Sequence, residues 1–172
     1  FEHRYYSHSF TSDYANYYSL SHRPIAKICL RIHAFNVDFS SEDFFSGVGN
    51  AEFESSLRES YLGHFVVKPI RNSLIGATVV KPYPTGPERP SRHYPCVRDY
   101  AINLFGIKLS IPSLVYQQQD GAVSACATTA LWMAFHKTHV EFRHSLPTPH
   151  LITTSAGPGD QYGRIFPNNG LD

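Results

Sequence analysis

A cysteine in the first turn of a helix is where a protein can build a reactive thiol. In this sequence that cysteine is Cys126, reached through Gln117-Gln118-Gln119-Asp120-Gly121-Ala122-Val123-Ser124-Ala125. The polar, glycine-containing loop runs into Ser124, which can cap a helix, and Cys126 follows in its first turn. Unpaired backbone N–H groups and the positive end of the helix dipole favour thiolate over thiol at such a position. Histidines that could act as its base are numerous but badly placed. His136 and His139 sit roughly 15 and 20 Å further along the same helix at 1.5 Å per residue. His144 and His150 require a tight reversal of the chain, and His33, His64 and His93 lie upstream. Each of them reads as a surface or packing residue.

Several elements must position the thiol. The Cys126 helix is expected over about 125–138, with Ala127, Ala130 and Ala134 permitting close approach and Leu131, Trp132 and Phe135 supplying bulk. Before it, 96–104 and 107–115 read as strands around the Phe105-Gly106 turn, with Pro112 limiting the second. Further upstream, 64–70 and 74–80 are β-branched runs forming a hairpin or adjacent strands, and Pro69 marks a strand end. Asn50 opens a helix with Phe53, Leu57 and Tyr61 on one face, which Gly63 should stop. Ser40 or Ser41 caps a shorter helix carrying Glu42 and Asp43 in its first turn, ended by Gly47 and Gly49. Ile28, Leu30, Ile32 and Ala34 alternate with Lys27, Cys29, Arg31 and His33 as a half-buried strand, which puts Cys29 on the more polar face as a filler. Residues 1–24 show no period and read as an irregular arm with one helical turn near Asp13–Leu20. Thr148-Pro149 starts a short helix through Leu151 and Ile152, and 157–163 and 168–172 read as loop and turn. The prolines of 82–93 mark the best boundary. The expected organisation is an N-terminal α+β region over 1–81, a Pro-rich linker over 82–93, and a domain over 94–172.

Composition narrows the function. The chain has 172 residues, 42% hydrophobic and 17% charged, with a formal net charge of +1, which suits a globular protein and not a disordered one. No Lys/Arg run forms a phosphate-binding surface, so nucleic acid is not an expected partner. The 11 Tyr and 12 Phe read as packing residues before base-stacking platforms. No apolar run approaches the roughly 18 residues of a membrane span, and no signal segment is visible. The chain begins at Phe1 and reads as a processed or trimmed piece. Cys29, Cys96 and Cys126 are too few and too widely spaced for a disulfide framework, so a cytoplasmic location is expected. Without a CxxC pair, and with His136, His139 and His144 lacking a partner carboxylate at suitable spacing, neither metal nor other cofactor is expected.

The stretch Gln119-Asp120-Gly121-Ala122-Val123-Ser124-Ala125-Cys126-Ala127, continuing into Ala130-Leu131-Trp132-Met133-Ala134-Phe135, resembles the nucleophile segment of papain-like cysteine peptidases. The resemblance implies an α+β fold in which antiparallel strands pack beside a central helix carrying Cys126 near its N-terminus. It also implies Cys126 as nucleophile and Gln119 as oxyanion donor, its amide and the Cys126 N–H facing the charge that develops on an acyl oxygen. The family's glutamine lies six residues before its cysteine, where this chain has Asp120, and Gln119 lies seven before. Ala127 replaces a frequent glycine. Asp120 as a polar loop cap remains open.

In that family the histidine and its Asp or Asn partner follow on later strands. The resemblance therefore places the catalytic histidine beyond residue 172, in a missing C-terminal half or an associated segment or chain, and the fragment alone should be inactive. The expected function is a cysteine hydrolase or acyl transferase acting on peptide or isopeptide bonds of a peptide or protein substrate. The alternative is a non-catalytic interaction or scaffold domain with a buried structural Cys126 and an aromatic N-terminal contact surface.

Overall fold

A computed structural model describes residues 1–22, 24–84, 92–120 and 126–156. The expected Ser124 cap, most of the proline-rich 82–93 loop, and the expected loop and turn beyond residue 156 lie outside them. The described chain is mixed α+β, with two antiparallel sheets and five α-helices.

The first sheet has the order β1 (Glu2–Tyr5), β2 (Cys29–Phe35), β3 (Tyr61–Val67), β4 (Ile75–Val80), each pair antiparallel. Helix α1 (His8–Asn16) and a 3₁₀ turn (Tyr18–Leu20) connect β1 to β2. Helix α2 (Ser41–Gly47) begins with a capping box, in which the Ser40 hydroxyl accepts from the Asp43 N–H and the Asp43 carboxylate accepts from the Ser40 N–H. This arrangement satisfies two donors that helix geometry would otherwise leave unpaired. In α3 (Ala51–Ser60), the Asn50 side chain accepts from the Glu52 and Phe53 N–H groups.

The second sheet is the hairpin β5 (Arg98–Leu104) and β6 (Ile107–Ser113), turned at Phe105-Gly106. Its period is two: Tyr100, Ile102, Leu104, Ile107, Leu109 and Ile111 are buried while the residues between them face out. These side chains join Leu57, Tyr61, Val79, Val115, Trp132 and Ile152 in the main core. Each fully buried Leu or Ile there contributes about 1.5–3 kcal/mol. The packing crosses the proline-rich loop, since Leu57, Tyr61 and Val79 precede it. Helices α4 (Cys126–Phe142) and α5 (Pro149–Ser155) complete the described chain, and the Thr128 and Thr153 hydroxyls, 3.0 Å apart, join them.

Three local expectations are corrected. Residues 1–24 are not an irregular arm: they supply β1, α1 and the 3₁₀ turn, and Phe10 and Tyr18 form a second core cluster with Cys29 and Val66. Cys29 faces inward at 2% exposure. The supposedly polar face of β2 is covered because Arg31 and His33 are paired with the Glu2 carboxylate. Gly63 does not stop α3. That helix ends at Ser60, whose carbonyl accepts from the Asn36 N–H at 2.8 Å, and β3 begins at the next residue. Gly63 instead sits inside β3 at φ +133°, where a Cβ would lie 2.1 Å from the Val79 carbonyl oxygen.

Gly63→Ala should therefore cost about 3–5 kcal/mol, from steric overlap added to backbone strain. Gly49→Ala, at φ +89° with open space around it, should cost only the left-handed penalty of about 1–2 kcal/mol. Urea unfolding of the two variants checks the contrast.

Candidate active site

Cys126 is the first residue of α4 and is exposed. Its thiol donates to the Gln119 amide oxygen, so the structure brings together the two side chains singled out from the sequence. As oriented, the amide oxygen holds the neutral thiol. The same amide turned end for end presents its N–H groups instead, which is the polarity a thiolate or an acyl oxyanion needs.

The loop carrying Gln119 is fixed residue by residue. Tyr116 and Thr78 exchange backbone hydrogen bonds of 2.9 and 2.7 Å, adding a bridge to the outer edge of β4. The Gln118 N–H donates to the Ile75 carbonyl at 2.9 Å, and its side-chain oxygen accepts from the Ile75 N–H at 3.0 Å. The Ser73 hydroxyl donates to the Gln118 carbonyl at 3.4 Å. Asp120 turns inward, where its Oδ2 accepts from the Tyr18 hydroxyl at 2.9 Å and lies 3.9 Å from the Lys68 ammonium. Gln119 is left at the surface beside Cys126.

Asp120 belongs to a buried polar cluster. Lys68 is 3% exposed and donates to the Ser73 hydroxyl at 3.1 Å. Burial pulls its ammonium below the usual range against the opposing charges of Asp120 and Asp13. Asp13 accepts from the His150 N–H at 3.1 Å, so α1 helps to cap α5. Burial pushes the Asp13 carboxyl up to about 7, with the nearby Asp120 charge adding to it. Burial likewise pushes the Cys29 thiol up to about 11.

No described histidine is hydrogen-bonded to the Cys126 sulfur. His136 is packed against Trp132, with ring centroids 4.5 Å apart, and its Nδ1 lies 3.0 Å from the Arg98 guanidinium. Burial, with that charge, pulls its imidazole down to about 3. His139 bonds the His144 carbonyl, and His144 bonds the Thr138 hydroxyl at 2.9 Å. No known protein family, curated protein or solved structure matches the chain.

A second constellation was not evident from the sequence. The Glu2 carboxylate meets His33 Nε2 at 2.8 Å, His33 Nδ1 meets the Tyr61 hydroxyl at 2.9 Å, and that hydroxyl meets His64 Nδ1 at 3.3 Å. Burial resists charge on Glu2, but the Arg31 and His33 hydrogen bonds win and hold its carboxyl below the usual range. Burial pulls His33 down and takes His64 to about 3, so both rings are neutral at pH 7. The alternation of β2 contained the residues of this chain, but nothing local ties Glu2 to His33. Among the described residues, no group of three His, Cys, Asp or Glu side chains forms a metal-ligand set, and no helix is long and apolar enough to cross a membrane.

The folded-state shift of Asp13 is upward, so the folded protein holds the extra proton. Its contribution to stability is intact below the unfolded value near 4 and is lost as pH rises toward 7. Asp13→Asn keeps an oxygen for the His150 N–H and has no charge to bury. Measured against the parent, the variant should gain about 2–3 kcal/mol between pH 5 and pH 8, and a pH series of denaturant midpoints reads that difference.

Proposed function

We propose that this chain carries the nucleophile side of a cysteine hydrolase or acyl transferase acting on peptide or isopeptide bonds. The carrying observation is the exposed Cys126 thiol at the first residue of a 17-residue helix with the Gln119 amide against its sulfur. The Cys126 sulfur attacks the carbonyl carbon, and the electron pair moves to the carbonyl oxygen, where the turned Gln119 amide and the Cys126 N–H would hold it. The amine departs with a proton, leaving an acyl thioester that water or a second amine resolves, returning the thiol. The base that first removes the thiol proton is a group not bonded to Cys126 in this structure. The fold supports the coarser part of this proposal, a mixed α+β chain of antiparallel sheets beside a helix that begins at the cysteine.

A second reading, a non-catalytic interaction domain, draws on the same missing imidazole. Its buried structural cysteine finds no support in an exposed Cys126, while Cys29 has that character.

Iodoacetamide at pH 7, followed by peptide mapping, should label Cys126 faster than the half-buried Cys96 and far faster than Cys29. Equal, slow labelling of Cys126 and Cys96 would favour the interaction domain. Cys126→Ala in the full-length protein should abolish peptide or isopeptide hydrolysis while shifting stability by no more than about 0.5 kcal/mol, as for other exposed substitutions. A large loss of stability with no activity to lose would sink the catalytic proposal.

A further inference from the structure

A cavity of about 420 Å³ opens between β2, the start of α2 and the β5–β6 turn, lined chiefly by His33, Phe35, Phe39, Phe44, Phe45 and Phe105. Neither Cys126 nor Gln119 lines it, so it is independent of the thiol. Its volume falls within the range of small-molecule sites.

The phenylalanines form a continuous wall. Centroid distances are 5.1 Å for Phe35–Phe39, 6.0 Å for Phe39–Phe44, 5.9 Å for Phe44–Phe105 and 6.0 Å for Phe45–Phe105. Three of these four contacts are edge-to-face, which leaves both ring faces and ring edges available to a further aromatic ring. Phe45 and Phe105 remain 65% and 55% exposed, a cost that burial under a ligand would relieve. Phe105 also occupies the left-handed region at φ +48°, in a tight turn where glycine or asparagine would be unstrained. The turn thus accepts backbone strain at the position that brings an aromatic ring to the cavity rim.

The chemistry of the lining selects the occupant. No Lys, Arg, Asp or Glu side chain is among the lining residues, which also include Phe1 and Leu104, so no side chain gives a charged ligand a counter-charge, and a cation would give up its hydration for ring faces alone. His33 has both ring nitrogens engaged by Glu2 and Tyr61 and offers only its ring. The Ser41 hydroxyl, in the same lining, can meet one polar atom. A second protein copy would need about 800 Å² of complementary surface per partner, whereas the exposed aromatic rim is the three side chains Phe1, Phe45 and Phe105.

We propose that this cavity binds an uncharged aromatic small molecule about the size of a substituted bicyclic ring, gripped between Phe45 and Phe105 at the mouth and Phe35, Phe39 and Phe44 within.

The test titrates the 172-residue chain with N-phenyl-1-naphthylamine, an uncharged fluorescent probe. A saturable, one-to-one rise in fluorescence is expected, displaced by indole or benzamide and not by benzoate or benzylammonium. Phe105→Asn should weaken the probe about tenfold through loss of one ring contact while keeping or raising the melting temperature, because asparagine tolerates the backbone angle. Phe45→Ala should weaken it comparably without unfolding the chain. No saturable binding, unchanged affinity in both variants, or equal displacement by the charged competitors would overturn the proposal. Binding that appears only with dimerisation in sedimentation would also overturn it, in favour of a second copy as occupant.

Discussion

A buried ammonium dictates how three distant parts of this chain meet. Removing Lys68 from water costs several kcal/mol, and its position one residue past β3, at 3% exposure, leaves no route back to solvent. The offset comes from Asp120 in the loop before α4, from Ser73 in the β3–β4 connection, and from the field of Asp13 in α1. Gly76 makes the site possible in a plainer way. A Cβ there would come within 3.1 Å of Lys68 Cγ, so the bare backbone of β4 leaves room for the lysine stem. Removing one partner from such a cluster leaves an uncompensated charge and costs about 3–5 kcal/mol, even where the whole cluster contributes little net stability. Its main effect is therefore on specificity of placement.

The same face of the first sheet carries the second polar network. Arg31 pairs across the sheet with Val66 and with Glu2, and His33 pairs with His64; with alternation, Arg31, His33, Val66, His64 and Lys68 share a face. Polar side chains occupy a buried surface because each is engaged by a neighbour: Glu2 by Arg31 and His33, Tyr61 by both imidazoles. Neutral imidazoles fit there because burial pulls His33 and His64 down, which spares the sheet two further charges to desolvate.

These two networks join residues too far apart in the chain for local patterns to show. The caps at Ser40, Asn50 and Thr148, the Phe105-Gly106 hairpin and the helix at Cys126 were legible, because each depends on residues within four or five positions. The buried face of β2 was read the wrong way round, since alternation assigns polar residues to solvent unless their partners are known. Those partners lie about 30 residues away for Glu2 with Arg31 and His33. The N-terminal strand and helix were missed for the same reason: Glu2 and Tyr5 pair with β2, and Phe10 and Tyr18 pack on Cys29, so local periodicity carries little of the signal. The Cys126 helix runs about four residues beyond the expected 125–138, to Phe142.

The placement of Gln119 at the surface follows from the lysine cluster. Val115 and Gln117 face inward while Tyr116 faces out, as in a strand, yet Gln119 is exposed and Asp120 is drawn toward Lys68. The alternation breaks between Gln117 and Asp120 because the buried ammonium requires a carboxylate from this loop. Had Asp120 been the residue at the sulfur, Lys68 would have lost its closest anion, and in the proposed chemistry a carboxylate would stand beside the developing acyl oxyanion, which like-charge repulsion opposes. The aspartate thus serves the core, and the glutamine before it, seven positions ahead of the thiol, is left at the surface beside the sulfur.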